Sequence, residues 1–270
     1  MNCLDAFVWV NKMHWIDTHA HLAEEEFKED LNEVIQRALE RNIKTIVLIG
    51  VGIDGSRRAL ALAKTNSMFK VAVGFHPEEV LRIDESDWEV MEELIQDPLV
   101  IAVGEIGLDH HWDKDPKTHR IQETVFKRQI DLANQYGIPI IVHSRDAHQA
   151  TFDILKNHPA KQSGILHCYS GSLELANEYI KCGYHIGLGG PVTFKNAIEP
   201  KEVAKHIDLK YLHIETDAPY LAPTPHRGKR NESAFVIETA AVIAQLREIH
   251  LEDLKKALYQ NFKTLFHVEP

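Results

Sequence analysis

Short apolar runs alternate with longer amphipathic stretches from Trp15 to Phe266. The runs at 15–17, 45–49, 70–73, 100–103, 138–142, 164–166, 185–188 and 212–214 have the length and composition of strands. Between them the apolar positions fall at helical spacing: Phe27, Leu31, Ile35 and Ala38 share one face, as do Phe126, Ile130 and Ala133. The second of these helices is expected to stop at Gly137, before Ile138-Pro139. Leu251, Leu254, Leu258 and Leu265 mark a last helix outside the alternation. The run at 138–142 is apolar on both faces, as a parallel strand covered by helices must be. Eight strand–helix units predict a (β/α)8 TIM barrel, with a doubly wound sheet as the alternative. No linker, low-complexity tract or repeat interrupts the pattern. One domain over 1–270 is the simplest organisation, with residues 1–12 a loose N-terminal extension and Met13 a second candidate start.

Composition narrows the function class. With 270 residues, 44% of them hydrophobic, the chain is long enough to bury a full core. A net charge of -10 argues against a protein that coats nucleic acid non-specifically, since such proteins carry a broad basic face. It leaves room for an enzyme that takes one phosphate at a time into a cationic pocket. No stretch approaches the ~20 apolar residues of a membrane span. Residues 6–10 are apolar but lack a basic flank and a small-residue cleavage site, so no signal peptide is expected. Cys3, Cys168 and Cys182 form no CxxC pair and are odd in number, which fits a reduced, cytoplasmic compartment.

The candidate chemistry gathers where strands end. Ile16-Asp17-Thr18-His19-Ala20-His21 places two imidazoles two residues apart, on one side of an extended strand. Alone the pair says little in a chain with 17 histidines. However, His76, Glu105, His143, His167 and Asp217 also follow strands, and a barrel opens all its strand C-termini on one face. Glu105, directly after 100–103, is costly to bury unless paired or metal-bound. It is the candidate bridge between two cations at the roughly 3.5–4 Å spacing of two-metal hydrolysis. His143 and His167 suit zinc or manganese, although each alone reads equally well as a hydrogen-bonded core histidine. Asp217 is a candidate ligand and proton acceptor for the attacking water, or else a turn residue before Pro219. Glu215, two residues earlier, competes for that role. Asp109, His110 and His111 form a polar loop that either supports the ligands or is merely solvated. Arg145 and the basic run 225–230, with Arg227, are candidate phosphate grips against the plainer reading of solvated loops. A serine triad is disfavoured, because Cys168-Tyr169-Ser170-Gly171-Ser172 lacks the G-x-S-x-G elbow. Cys168 reads as a small hydrophobe.

Jointly, Ile16–His21, Val73-Gly74-Phe75-His76-Pro77, Gly104-Glu105-Ile106-Gly107-Leu108-Asp109, Val142-His143-Ser144-Arg145, Leu166-His167-Cys168-Tyr169-Ser170-Gly171 and Glu215-Thr216-Asp217-Ala218-Pro219-Tyr220-Leu221 resemble the TatD family of metal-dependent deoxyribonucleases, within the amidohydrolase superfamily. The resemblance implies one metal held by His19, His21, Glu105 and Asp217, and another held by Glu105, His143 and His167. It also implies a DNA substrate, cut from single-stranded ends by a metal-activated water. Many superfamily relatives bridge their metals with a carboxylated lysine, where this chain has Glu105. Two departures from the family stand out: the residues before Met13, and His110 where many members carry an aromatic. The imidazole-rich set favours zinc or manganese over magnesium, which prefers oxygen ligands. Asp217 and Glu105 are the expected catalytic residues, with His76, Arg145 or Arg227 holding the phosphate. The rival reading keeps the two metals and gives them a small ester, lactone or amide. A non-catalytic binding module would need a vestigial site. No membrane or obligate protein partner is implied.

Overall fold

The computed structural model describes residues 13–270, so the expected loose extension lies outside the described residues. Eight parallel strands run in sequence order around one sheet. They are β1 (Trp15–Ala20), β2 (Ile43–Val51), β3 (Phe69–Gly74), β4 (Val100–Asp109), β5 (Ile140–Arg145), β6 (Gly164–Leu166), β7 (His185–Leu188) and β8 (Leu212–Ile214). The helices among the described residues are α1 (Leu31–Glu40), α2 (Gly52–Ala63), α3 (Glu85–Ile95), α4 (Pro116–Tyr136), α5 (His148–Asn157), α6 (Leu173–Lys181), α7 (Glu199–His206), α8 (Val236–Arg247) and α9 (Leu251–Phe266). The ring closes where β1 meets the segment after β8. Ala20 bridges Ala218, the His21 amide donates to the Ala218 carbonyl at 2.8 Å, and the Asp217 amide donates to the His19 carbonyl at 2.9 Å. A doubly wound sheet has a reordered, open strand sequence, so this closure makes the fold a (β/α)8 barrel.

Local chemistry explains the elements. Asp115 caps α4 by accepting the Lys117 amide at 2.9 Å, Pro116 opens the helix, and Gly137 ends it in the left-handed region at φ 66°. Phe126, Ile130 and Ala133 are fully buried, as their spacing predicts. The predicted face of α1 is displaced: Val34 and Ala38 are fully buried, Leu31 and Ile35 only partly, and Phe27 lies in a separate 3-10 turn.

Inside the ring, Ile16, Val47, Ile101, Ile141 and Ile165 pack against Tyr259, Phe262, Leu265 and Phe266 of α9. The helix outside the alternation therefore plugs the end where most strands begin. Its Asn261 side chain donates to the Leu209 and Leu212 carbonyls, both at 2.8 Å, which ties the plug to β8. The opposite end is left to polar groups.

Three strand spans match their prediction, but β4 continues to Asp109. Glu105 therefore lies within a strand, as do His19 and His143 in β1 and β5, instead of following one. Two glycines inside β4, Gly104 and Gly107, serve close approach. A Cβ on Gly104 would lie 2.7 Å from the Ile141 Cβ, and one on Gly107, at φ 141°, would run into the His143 carbonyl oxygen. Truncating the centre of the plug, Phe262→Ala, is expected to cost about 3–5 kcal/mol. The midpoint of a urea unfolding curve reads it, and an unchanged midpoint would show that α9 does not support the ring.

Candidate metal centre

Glu105 is buried at the polar end of the barrel, and its two carboxylate oxygens face different histidine groups. Oε2 lies 3.2 Å from His19 Nε2 and 3.7 Å from His21 Nε2. Oε1 lies 2.7 Å from His143 Nδ1, 2.8 Å from His167 Nε2 and 3.6 Å from His76 Nε2. Asp217 Oδ1 completes the first group, 3.7 Å from His19 Nε2 and 3.5 Å from His21 Nε2. The His19 and His167 rings stack at 3.9 Å, which joins the two groups. Every predicted ligand is thus brought together: His19, His21, Glu105, His143, His167 and Asp217.

The histidines' far nitrogens show that the cluster fits divalent cations. His143 Nε2 lies 3.0 Å from Asp109 Oδ2, and His167 Nδ1 lies 3.2 Å from Glu215 Oε1. A carboxylate on the outer nitrogen holds the N–H there and aims the lone pair of the other nitrogen inward, the support that metal-ligating histidines generally have. His19 Nε2 and His21 Nε2 approach to 3.3 Å, so a proton or a cation must lie between two otherwise repelling lone pairs. Imidazole and carboxylate donors in this mixture suit zinc or manganese.

The side chains' own electrostatics follow from the same geometry. Burial pushes the His167 imidazole down, but Glu105 and Glu215 outweigh it and hold His167 well above the usual histidine range. His143 and His21 are likewise raised against burial, the first by Asp109 and Glu105, the second by Asp217 and Glu105. His19 is lowered, by burial and by the neighbouring His167. Burial alone would raise Glu105, yet His167, His19 and His76 bring it well below the carboxylate range.

The centre floors a cavity of about 840 Å³. His76 and Arg145, two of the three candidate phosphate contacts, line it. His76 Nδ1 accepts the Glu78 amide at 3.2 Å, which leaves a proton on Nε2, 3.6 Å from Glu105 Oε1: His76 is a donor into the site. Arg227 is absent from the lining and stacks over Phe194 at 4.2 Å, because the loop after Asp217 turns its basic run away from the cavity. Arg58, unremarked in the sequence, lines the cavity instead and pairs with Glu24 at 2.8 Å. Glu215 is fully buried away from the cavity, with the Cys168 amide donating to it at 2.5 Å, so it orients His167 and does not compete with Asp217. Asp109 is buried on His143 and is not a solvated loop residue. Burial drives the Cys168 thiol well above its usual range, the opposite of an activated nucleophile.

Sequence reasoning passed over Asp17. It is fully buried and accepts from the Thr216 amide at 2.9 Å, the Thr216 hydroxyl at 2.6 Å and the His19 amide at 3.3 Å. Burial pushes its carboxyl up to about 7 against these bonds. Asp17 thus fixes β1 and the Asp217 segment in one register. A carboxylate inside an apolar strand is the signal that could have found it.

A family model described as TatD related DNase matches residues 16–267. The metal-dependent hydrolase YabD of Bacillus subtilis is 44% identical over 253 residues, covering 93% of this chain and 98% of its own. The metal-dependent hydrolase YcfH of Escherichia coli is 34% identical over 263 residues, covering 95% and 97%. Among solved structures, that of the TatD homolog YjjV from Escherichia coli superposes with a TM-score of 0.89 at 32% identity, covering 94% of this chain and 98% of that one. Among the described residues no helix is long and apolar enough to cross a membrane.

Because the raised imidazoles must lose protons to bind a cation, metal uptake at pH 7 is expected to release at least about one proton per chain, and affinity is expected to fall as pH falls. Calorimetry in two buffers of different ionisation enthalpy counts the protons; uptake without release would contradict the ligand assignment. Glu215→Gln is expected to weaken metal binding about 10–100-fold in the same titration, and an unchanged affinity would refute its supporting role.

Proposed function

Because the chain belongs to the TatD related DNase family of metal-dependent hydrolases, we propose that it is a deoxyribonuclease that removes nucleotides from single-stranded DNA ends. The observation that carries this reading is the division of Glu105, one oxygen toward His19 and His21, the other toward His143 and His167. Such a carboxylate suits two divalent ions, with His19, His21, Glu105 and Asp217 holding one and Glu105, His143 and His167 the other. Bound there, the ions would lower the pKa of a water and neutralise charge on the phosphoryl oxygens.

The remaining steps belong to the chain's own side chains. Asp217 lies at the edge of the cavity and is held below the usual carboxylate range: burial raises it, but His21, His167 and His19 outweigh burial. It is therefore ionised at neutral pH and placed to accept the proton of the water that attacks phosphorus. His76 donates from Nε2 to a phosphate oxygen, and Arg145 supplies a permanent charge at the cavity wall. Together they hold the phosphodiester in line while the P–O bond to the leaving oxygen breaks.

One observation favours the rival substrate class of small esters, lactones or amides. Glu24, Glu26, Glu78 and Glu79 line the outer cavity, and among the described residues Arg58 and Arg145 are its only lysine or arginine side chains, a mouth less inviting to a polyanion. Digestion of end-labelled single-stranded DNA beside a panel of small esters separates the two; intact DNA under zinc, manganese and magnesium would leave the esters. Asp217→Asn and Glu105→Ala are each expected to lower turnover by at least ~10²-fold, and near-normal rates would refute their roles. Elemental analysis of the purified protein is expected to find zinc or manganese, with magnesium active only at high concentration. Full activity with micromolar magnesium alone would overturn that choice.

A further inference from the structure

Two large aromatic side chains stand exposed at the cavity mouth. Trp112 is 65% exposed and Tyr220 54%, and both line the cavity. Neither belongs to the apolar core. Trp112 lies between β4 and α4, and Tyr220 between β8 and α8. In a ring ordered from β1 to β8, the fourth and eighth strands lie across the barrel from each other. Glu105 is on β4 and Asp217 follows β8, so a chain reaching from one aromatic to the other passes over the centre.

Each aromatic is also tied to that centre. The Trp112 amide donates to Asp109 Oδ1 at 3.2 Å, while Asp109 Oδ2 takes His143. The Arg145 guanidinium lies 5.2 Å from the Trp112 ring centroid. The Tyr220 amide donates to the Asp217 carbonyl at 2.8 Å, and the Tyr220 ring meets the His21 ring edge-on at 6.0 Å.

We propose that Trp112 and Tyr220 are stacking platforms for the unpaired nucleobases on the two sides of the scissile phosphate, an inference that rests on the nuclease reading above. Every base has a π-face, so an aromatic platform grips a single strand without regard to its sequence. In a duplex both faces of an inner base are already covered, and the platforms have nothing to take. The pair also answers the acidic mouth: stacking holds the bases and does not depend on a broad field of positive charge. Arg145, against Trp112, is placed to meet the phosphate beside the stacked base.

The test uses the metal-loaded full chain and an end-labelled oligothymidylate. W112A and Y220A are each expected to raise KM about 5–100-fold, with a smaller change in kcat, and W112F and Y220F to recover most of the loss. A second substrate carries abasic tetrahydrofuran residues in place of the terminal nucleosides. On it the wild-type KM is expected to rise toward that of the alanine variants, which then add little further. Alanine variants that leave the oligothymidylate KM within about twofold, or that weaken both substrates equally, would overturn the platforms and leave the nuclease reading standing. A wild-type protein that cuts neither oligomer under zinc, manganese or magnesium would overturn both.

Discussion

Between β1 and the segment after β8, the sheet is held by a few backbone hydrogen bonds, and these same bonds align the metal centre. The Asp217 amide reaches the His19 carbonyl at 2.9 Å, and the His21 amide reaches the Ala218 carbonyl at 2.8 Å. Two ligands from the start of the chain and one from far along it are therefore set by the contact that closes the ring. Asp17 reinforces the junction from inside, with Thr216 donating twice to its carboxylate. A shift of one residue at this seam would turn every side chain on β1 to the opposite face. Fold closure and ligand geometry are thus one constraint.

A second constraint is electrical. Glu105, Asp109, Glu215 and Asp217 are all buried beside one another, an arrangement that costs free energy unless each finds a partner. The partners are imidazoles: His143 lies between Glu105 and Asp109, and His167 between Glu105 and Glu215. A proton or a metal cation can meet the same need, because both satisfy the lone pairs that converge on Glu105. Three of the six candidate ligands, His19, Glu105 and His143, stand on strands, and His21, His167 and Asp217 lie at most three residues beyond strand ends, so little backbone has to be ordered to assemble the set.

The barrel was legible because its alternation is regular and its apolar runs are short and two-faced, as in 138–142. The candidate ligands were conspicuous because metal-binding side chains stand at or just beyond the apolar runs, as Glu105, His143 and His167 do. Less legible was anything that depends on packing between strands. Gly104 and Gly107 carry the punctuation of a loop, and only the approach of Ile141 and His143 shows that they let β4 continue. Asp109 and Glu215 look like exposed loop or catalytic acids until His143 and His167 are found against them. Arg227 sits one short loop beyond Asp217 in sequence, yet the chain's turn there sends it to Phe194. Sequence spacing identifies which residues end strands; it does not aim the loops that follow.

The aromatic plug formed by α9 has a consequence for traffic. With Phe262 and Phe266 packed among Ile16, Ile141 and Ile165, the described residues close the floor of the barrel. Whatever reacts above Glu105 must arrive and depart through a single doorway, so each departing fragment competes with its successor for the same threshold.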